Sequence, residues 1–172
     1  DFQHQFNGCT SLTALDTSNW DTSSMKSVRN QFINCSSLTA LDVSGWDVSS
    51  VTNFSYQFFG CTSLATLDVS SWDVSSGTNL TSQFSGCSLL TTLDISNWNV
   101  ISATGLAGFL YNISLPESTY NQVLINWSAL SLQPNISVDF GNSKYTLGSA
   151  AETARTNIIT NDGWTITDGG GI

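Results

Sequence analysis

Four aspartates at a constant interval, Asp16, Asp42, Asp68 and Asp94, are the side chains of this 172-residue sequence best placed to bind something. Each is followed two positions later by a serine, at Ser18, Ser44, Ser70 and Ser96. Stacked at strand spacing, about 5 Å apart, such carboxylates repel by roughly 1 kcal/mol in water and about 3 kcal/mol at an effective dielectric of 20. Something must offset that repulsion. The options are a bridging Ca²⁺, which wants about six to eight oxygens, a basic partner, or hydrogen bonds from the neighbouring serines and backbone, which Asp forms readily. These Asp and Ser residues form the candidate binding face. A second series, Asp21, Asp47 and Asp73, is expected to shape a turn after the tryptophan that precedes each.

The other reactive side chains point to packing. Cys9, Cys35, Cys61 and Cys87 recur at the same interval. Neighbouring copies lie close enough for disulfides, but identical stacked side chains point the same way, and free Cys is commonly buried. A reduced, buried column is the expectation, with disulfides as the alternative. Zinc fits less well, because there is no paired C-x-x-C. His4 stands alone, with no nucleophile to activate, and neither a Gly-rich phosphate loop nor H-E-x-x-H occurs. The expected protein is therefore not an enzyme and uses no cofactor or metal. Trp20, Trp46, Trp72 and Trp98 could stack on sugars, but their place in the repeat points inward.

Composition narrows the partners. The only Lys and Arg residues are Lys26, Arg29, Lys144 and Arg155, and the net charge is -9. Four scattered cations cannot build a phosphate-binding patch or hold an anionic membrane surface. No apolar run approaches the roughly 18 residues of a membrane-spanning helix. Charged residues make up 10% of the chain, against roughly 25% in ordinary globular proteins. Ser, Thr and Asn replace them, as is frequent on secreted and virion proteins.

These residues are positioned by an internal repeat of 26 residues. Phe6, Phe32, Phe58 and Phe84 keep the step, as do Leu12, Leu38, Leu64 and Leu90, and Leu15, Leu41, Leu67 and Leu93. In the second copy, Leu38, Leu41, Val43, Trp46 and Val48 follow the strand spacing of leucine-rich repeats, with Trp46 where Asn or Cys is usual. The spacing predicts a short strand near 39–43, with Leu41 and Val43 inward and Ala40, Asp42 and Ser44 outward. Val51, Phe54 and Phe58 mark one face of a short helix. The column Ser24, Ser50, Ser76 and Ser102 would cap it, and Gly8, Asn34, Gly60 and Gly86 would end it in the left-handed conformation. The predicted fold class is an α/β solenoid, a right-handed superhelix of leucine-rich-repeat type with one parallel sheet face and a row of short helices.

The stretch FNGCTSLTALDTSNWDTSSM and its three copies resemble the BspA-like, Treponema-type leucine-rich repeats, which share the Cys, Ser-Leu, Leu-Asp, Trp-Asp and Ser positions. The usual Met before the Phe is replaced by Gln5, Gln31, Gln57 and Gln83, a column able to form a hydrogen-bonded ladder. The fourth copy drifts, with Asn99 and Ile101 in place of Asp and Ser. The resemblance implies a surface protein that adheres to or binds other proteins.

Residues 1–5 read as the end of a preceding unit, 6–109 as four repeats and 110–172 as a C-terminal capping region. Because terminal repeats need a polar cap, the first residues suggest a longer parent chain or a covering partner. A helix is expected near Pro116, a strand at 135–140, a second helix in GSAAETARTNIITN and a last strand in GWTITDGG; DGGGI reads as a flexible end. The expected function is a non-catalytic binding or adhesion module, extracellular or on a cell or virion surface, with a protein or glycan ligand. The alternative is a structural spacer, decoration or fibre component that assembles with other copies. Ice binding by Thr13 and Thr39 fits poorly, because the columns mix Ser, Thr and Ala and an Asp column is interleaved.

Overall fold

The computed structural model describes residues 2–172. Each 26-residue unit lies against the next through its backbone. The N–H groups of Val28, Asn30, Phe32 and Asn34 donate to the carbonyls of Asn53, Ser55, Gln57 and Phe59 at 2.7–3.0 Å, and the same pattern joins the following units. In between, Gln31 and Ile33 donate back three residues, to Val28 and Asn30. Alternate residues thus bond outward and locally.

This pattern replaces the expected row of helices. The segment Val51–Phe58 forms consecutive turns, and the described residues before Glu117 contain no α-helix. The reason lies in one column. His4, Asn30, Tyr56, Ser82 and Gly108 all have positive φ, between 51° and 64°, which a right-handed helix cannot accommodate. A segment so short gains little from helix propagation, whereas bonding to the next unit satisfies the same donors. The spacing of Val51, Phe54 and Phe58 fits both backbones, because it reports only that all three point inward. Ser50 therefore caps no helix. The Gly8, Asn34, Gly60 and Gly86 column is left-handed as its residue types suggest, at φ 60–80°.

At the expected strand, a single bridge joins Ala40 to Thr66, while Leu41 and Val43 are buried and Ala40, Asp42 and Ser44 are exposed. Another parallel rail, Ser27–Asn53–Asn79–Gly105, runs on the turn side. It passes through Leu106 and Val138 into two short strands. From Glu117 on, regular elements appear: helix α1 (Glu117–Ser128), strand β1 (Ser137–Asp139), helix α2 (Ala150–Asp162) and strand β2 (Thr165–Thr167). β1 and β2 pair in parallel, Ser137 with Thr165 and Val138 with Ile166. Pro116 sits at the start of α1, where its missing N–H costs nothing. Ser149 caps α2 by accepting from the Ala151 N–H, and Gly163 ends it at φ 72°.

The core runs as columns through the stack. Phe6, Phe32, Phe58 and Phe84 stack at 5.1, 5.5 and 5.8 Å between ring centroids. Trp20, Trp46, Trp72 and Trp98 follow at 5.6, 6.2 and 6.2 Å. Buried Gln57 donates its side-chain amide to Gln31 at 3.3 Å, and Gln83 donates to Gln57 at 3.2 Å. Phe109 meets Trp127 of α1 at 6.4 Å, which carries the aromatic column into the C-terminal region. Tyr120, Val123, Leu124 and Trp127 form the buried face of α1.

Candidate functional site

Asp16, Asp42, Asp68 and Asp94 are all exposed, on one edge of the stack. Each carboxylate is held by its own serine. Asp42 Oδ1 accepts the Ser44 N–H at 3.0 Å and the Ser44 hydroxyl at 2.7 Å, and Asp68 accepts from Ser70 at the same distances. Asp16 and Asp94 accept the N–H of Ser18 and Ser96 at 3.0 and 2.9 Å. Each Asp-x-Ser is therefore a closed turn that holds the carboxylate through its Oδ1.

These bonds also settle the electrostatics. The Ser44 hydroxyl and N–H hold Asp42 below the usual carboxylate range, and the charge on Asp68 is the weakest influence on it. Ser70 does the same for Asp68, and the Ser18 N–H for Asp16. Hydrogen bonding to the charged form outweighs the mutual repulsion in a solvent-exposed row. Among the described residues no three Asp, Glu, His or Cys side chains converge on a point that could hold a metal ion.

One residue departs from the expected face. Ser96 is 7% exposed, because α1 lies over it and Asn126 donates its amide to the Ser96 carbonyl at 2.9 Å. A long-range cover of this kind leaves no trace in the local repeat. The open face thus comprises Asp16, Ser18, Asp42, Ser44, Asp68, Ser70 and Asp94.

The second series forms the same turns. Asp21, Asp47 and Asp73 accept from Ser23, Ser49 and Ser75. A third series escaped the sequence reading: Asn53 accepts from Ser55, and Asn79 from Thr81. Its signal, Asn-x-Ser/Thr at the 26-residue step, is visible in the sequence.

All four cysteines are free thiols. Cys35, Cys61 and Cys87 are buried and donate S–H to the carbonyls of Phe6, Phe32 and Phe58 at 3.0–3.1 Å. Burial pushes the Cys35 thiol up to about 12. Cys61 also moves upward, through its neighbour Cys87 and through burial. Cys9 is exposed. His4 lies within 3.4 Å of the Asn30 amide.

Two depressions mark the candidate face. Ala40, Leu41, Asp42, Thr66, Leu67 and Asp68 line one of about 240 Å³. The other, about 220 Å³, lies between the first two units and is lined by Thr17, Ser18, Trp20, Asp42, Ser44, Gly45 and Trp46. Here the packing changes. The indole N–H groups of Trp72 and Trp98 donate to the carbonyls of Val43 and Val69 at 3.1 Å. That of Trp46, equally buried, has no partner among the described residues. Its equivalent acceptor is the carbonyl of Thr17, which occupies the Val43 and Val69 column, and the Thr17 hydroxyl instead donates to the Asp42 carbonyl.

The family described as "Mycoplasma protein of unknown function, DUF285" matches residues 1–137. No curated protein and no solved structure matches the chain.

Proposed function

The chain belongs to the family described as Mycoplasma protein of unknown function, DUF285, and from that premise we propose that it is a non-catalytic binding or adhesion module on a cell or particle surface. One observation carries this reading: a row of fixed, exposed carboxylates and serines repeated at the unit spacing along one edge. Four preset groups in register suit a repetitive or extended partner, because the turns have already met the cost of orienting them. The stacked turns and parallel rails are consistent with a solenoid of leucine-rich-repeat type, and the repeated motif with the BspA-like group. The partner is a protein or a glycan. The charge of -9 with four Lys plus Arg speaks against nucleic acid and anionic membranes. No helix among the described residues is long and apolar enough to cross a membrane.

Beads coated with the chain should adhere to members of a panel of cultured epithelial cells and whole bacteria. The double variant Asp42→Ala/Asp68→Ala should lose that attachment while keeping its circular dichroism. Undiminished attachment by the double variant removes this face from the site. A structural spacer or fibre component, in contrast, adheres to no surface in the panel and appears as ordered copies within an assembly.

A further inference from the structure

We propose that copies of this chain associate head to tail, the first unit of one against the last segment of the next. This goes beyond the binding face, which such an assembly would repeat along its length. A line of backbone hydrogen bonds crosses the whole molecule in one direction. Phe6 donates its N–H to Gln31, Phe32 to Gln57, Phe58 to Gln83, Phe84 to Phe109, Leu110 to Asp139 and Phe140 to Thr167, at 2.8–3.2 Å. Each acceptor is the residue just before the next donor. Both ends of the line are open. The carbonyl of Gln5, which precedes Phe6, accepts no N–H among the described residues, and the N–H of Asp168, which follows Thr167, finds no acceptor among them. Asn7 repeats the acceptor end. Its carbonyl is unmatched, whereas the same column at Ile33, Phe59, Ser85 and Tyr111 accepts from the unit before at 2.7–2.9 Å.

This polarity selects the occupant. Two copies meeting first unit to first unit would set the Gln5 and Asn7 carbonyls against each other, acceptor facing acceptor. The other end of the molecule carries the missing donor at Asp168, so a second copy in the same direction extends the line. Apolar side chains flank both ends. Phe2, Phe6, Leu12, Leu15 and Trp20 are only partly buried, although their columns are buried in the units that follow. A cleft of about 530 Å³ lies at this end, lined by Phe2, Gln5, Phe6, Trp20 and Asp21. At the far end, Leu147 and Ile172 are each 55% exposed, and Tyr145 and Ile166 are partly buried. Bringing the two ends together removes from water the kind of surface that every internal junction already covers. The contact joins two different surfaces, so it propagates beyond a pair. The net charge of -9 opposes it, so association should strengthen as salt screens the repulsion.

The test is sedimentation equilibrium of the whole chain at about 1 M salt, where the Debye length is about 3 Å. The average mass should rise with concentration past that of a dimer. Over the same range the Asp168 amide should shift in ¹⁵N–¹H spectra and exchange more slowly with solvent. Two variants block one end each, at positions that are exposed or only partly buried: Phe2→Glu/Gln5→Glu and Leu147→Glu/Ile172→Glu. Both should keep the parent's circular dichroism. Each alone should associate at least about tenfold more weakly, because the contact would bury an unpaired charge. Mixed in equal amounts they should form dimers and nothing larger, since each retains one intact end. The proposal is overturned if the parent stays monomeric at about millimolar concentration, or if the mixture stays monomeric. It also falls if Leu147→Glu/Ile172→Glu still dimerises like the parent, since first units would then meet face to face. If association fails while the coated beads still adhere, the assembly is wrong and the binding module stands.

Discussion

At the residue scale, short polar side chains close turns on themselves. Asp42 with Ser44, Asp47 with Ser49 and Asn53 with Ser55 are three such closures within one unit. They have a pH consequence. Ser44, Ser49 and Ser70 hold Asp42, Asp47 and Asp68 below the ordinary carboxylate value of 3.8. A depressed folded-state pKa contributes stability that is present above the unfolded value and is lost as pH falls through the folded one. Urea midpoints should therefore hold steady from neutrality to about pH 5 and decline below the ordinary Asp range. The Asp42→Ala/Asp68→Ala chain should show a shallower decline. The thiols differ just as plainly. Cys9 is exposed, whereas Cys35, Cys61 and Cys87 are buried with their S–H groups bonded. A thiol reagent should modify one cysteine rapidly in the native protein and the other three only on unfolding; rapid modification of all four contradicts the buried column.

At the element scale, the repeats and the C-terminal region obey different rules. α1 and α2 were legible from Pro116, from the apolar face Tyr120–Leu124–Trp127 and from the segment GSAAETARTNIITN, because these signals act within a few residues. The turns of the repeats were mistaken for helices, because inward spacing does not say where the N–H groups go. Tertiary packing adds a clasp that has no sequence signature. Asp168 accepts from Arg155 Nε at 2.8 Å and from the Tyr120 hydroxyl at 2.7 Å, and so ties α1 and α2 to the segment after β2. Arg155 also lies over the Tyr145 ring, 5.3 Å from its centroid. Asp168 is nearly inaccessible. Asp168→Ala should cost about 3 kcal/mol, the usual loss on breaking a buried pair, read from urea unfolding. A change within about 0.5 kcal/mol, typical of surface substitutions, would show that the clasp contributes little.

At the scale of the whole molecule, each unit touches its neighbours through the same columns. Such stability is close to a sum of unit and interface contributions. Removing residues 47–72, one full 26-residue period, keeps every Phe, Trp, Gln and Cys column in register. The shortened chain should fold cooperatively with a lower melting temperature. Removing half a period should prevent folding, because Phe32 would then face Ser71, and Trp46 would face Ser85. If both deletions fold equally well, register does not organise the stack. The C-terminal region joins the same stack. The rail from Ser27 to Gly105 continues through Val138 to Ile166, although the spacing from Leu106 to Val138 to Ile166 no longer follows 26 residues.

The sequence alone determined the period, the buried columns and the carboxylate face, because each depends on residue type at a fixed step. It also announced α1 and α2 through local signals such as Pro116. Tertiary structure decided the rest. Whether a turn-side N–H bonds within its own unit or to the next depends on a neighbour 25 residues away. The same holds for Ser96, buried by Asn126 thirty residues later, and for the Trp46 N–H, left without the carbonyl that its equivalents find. Asp42 and Ser44 are an exposed pair, as their types and spacing suggest. What the fold adds is that the pair is already bonded internally, and that a cleft opens beside it where the packing of one junction differs from those that follow.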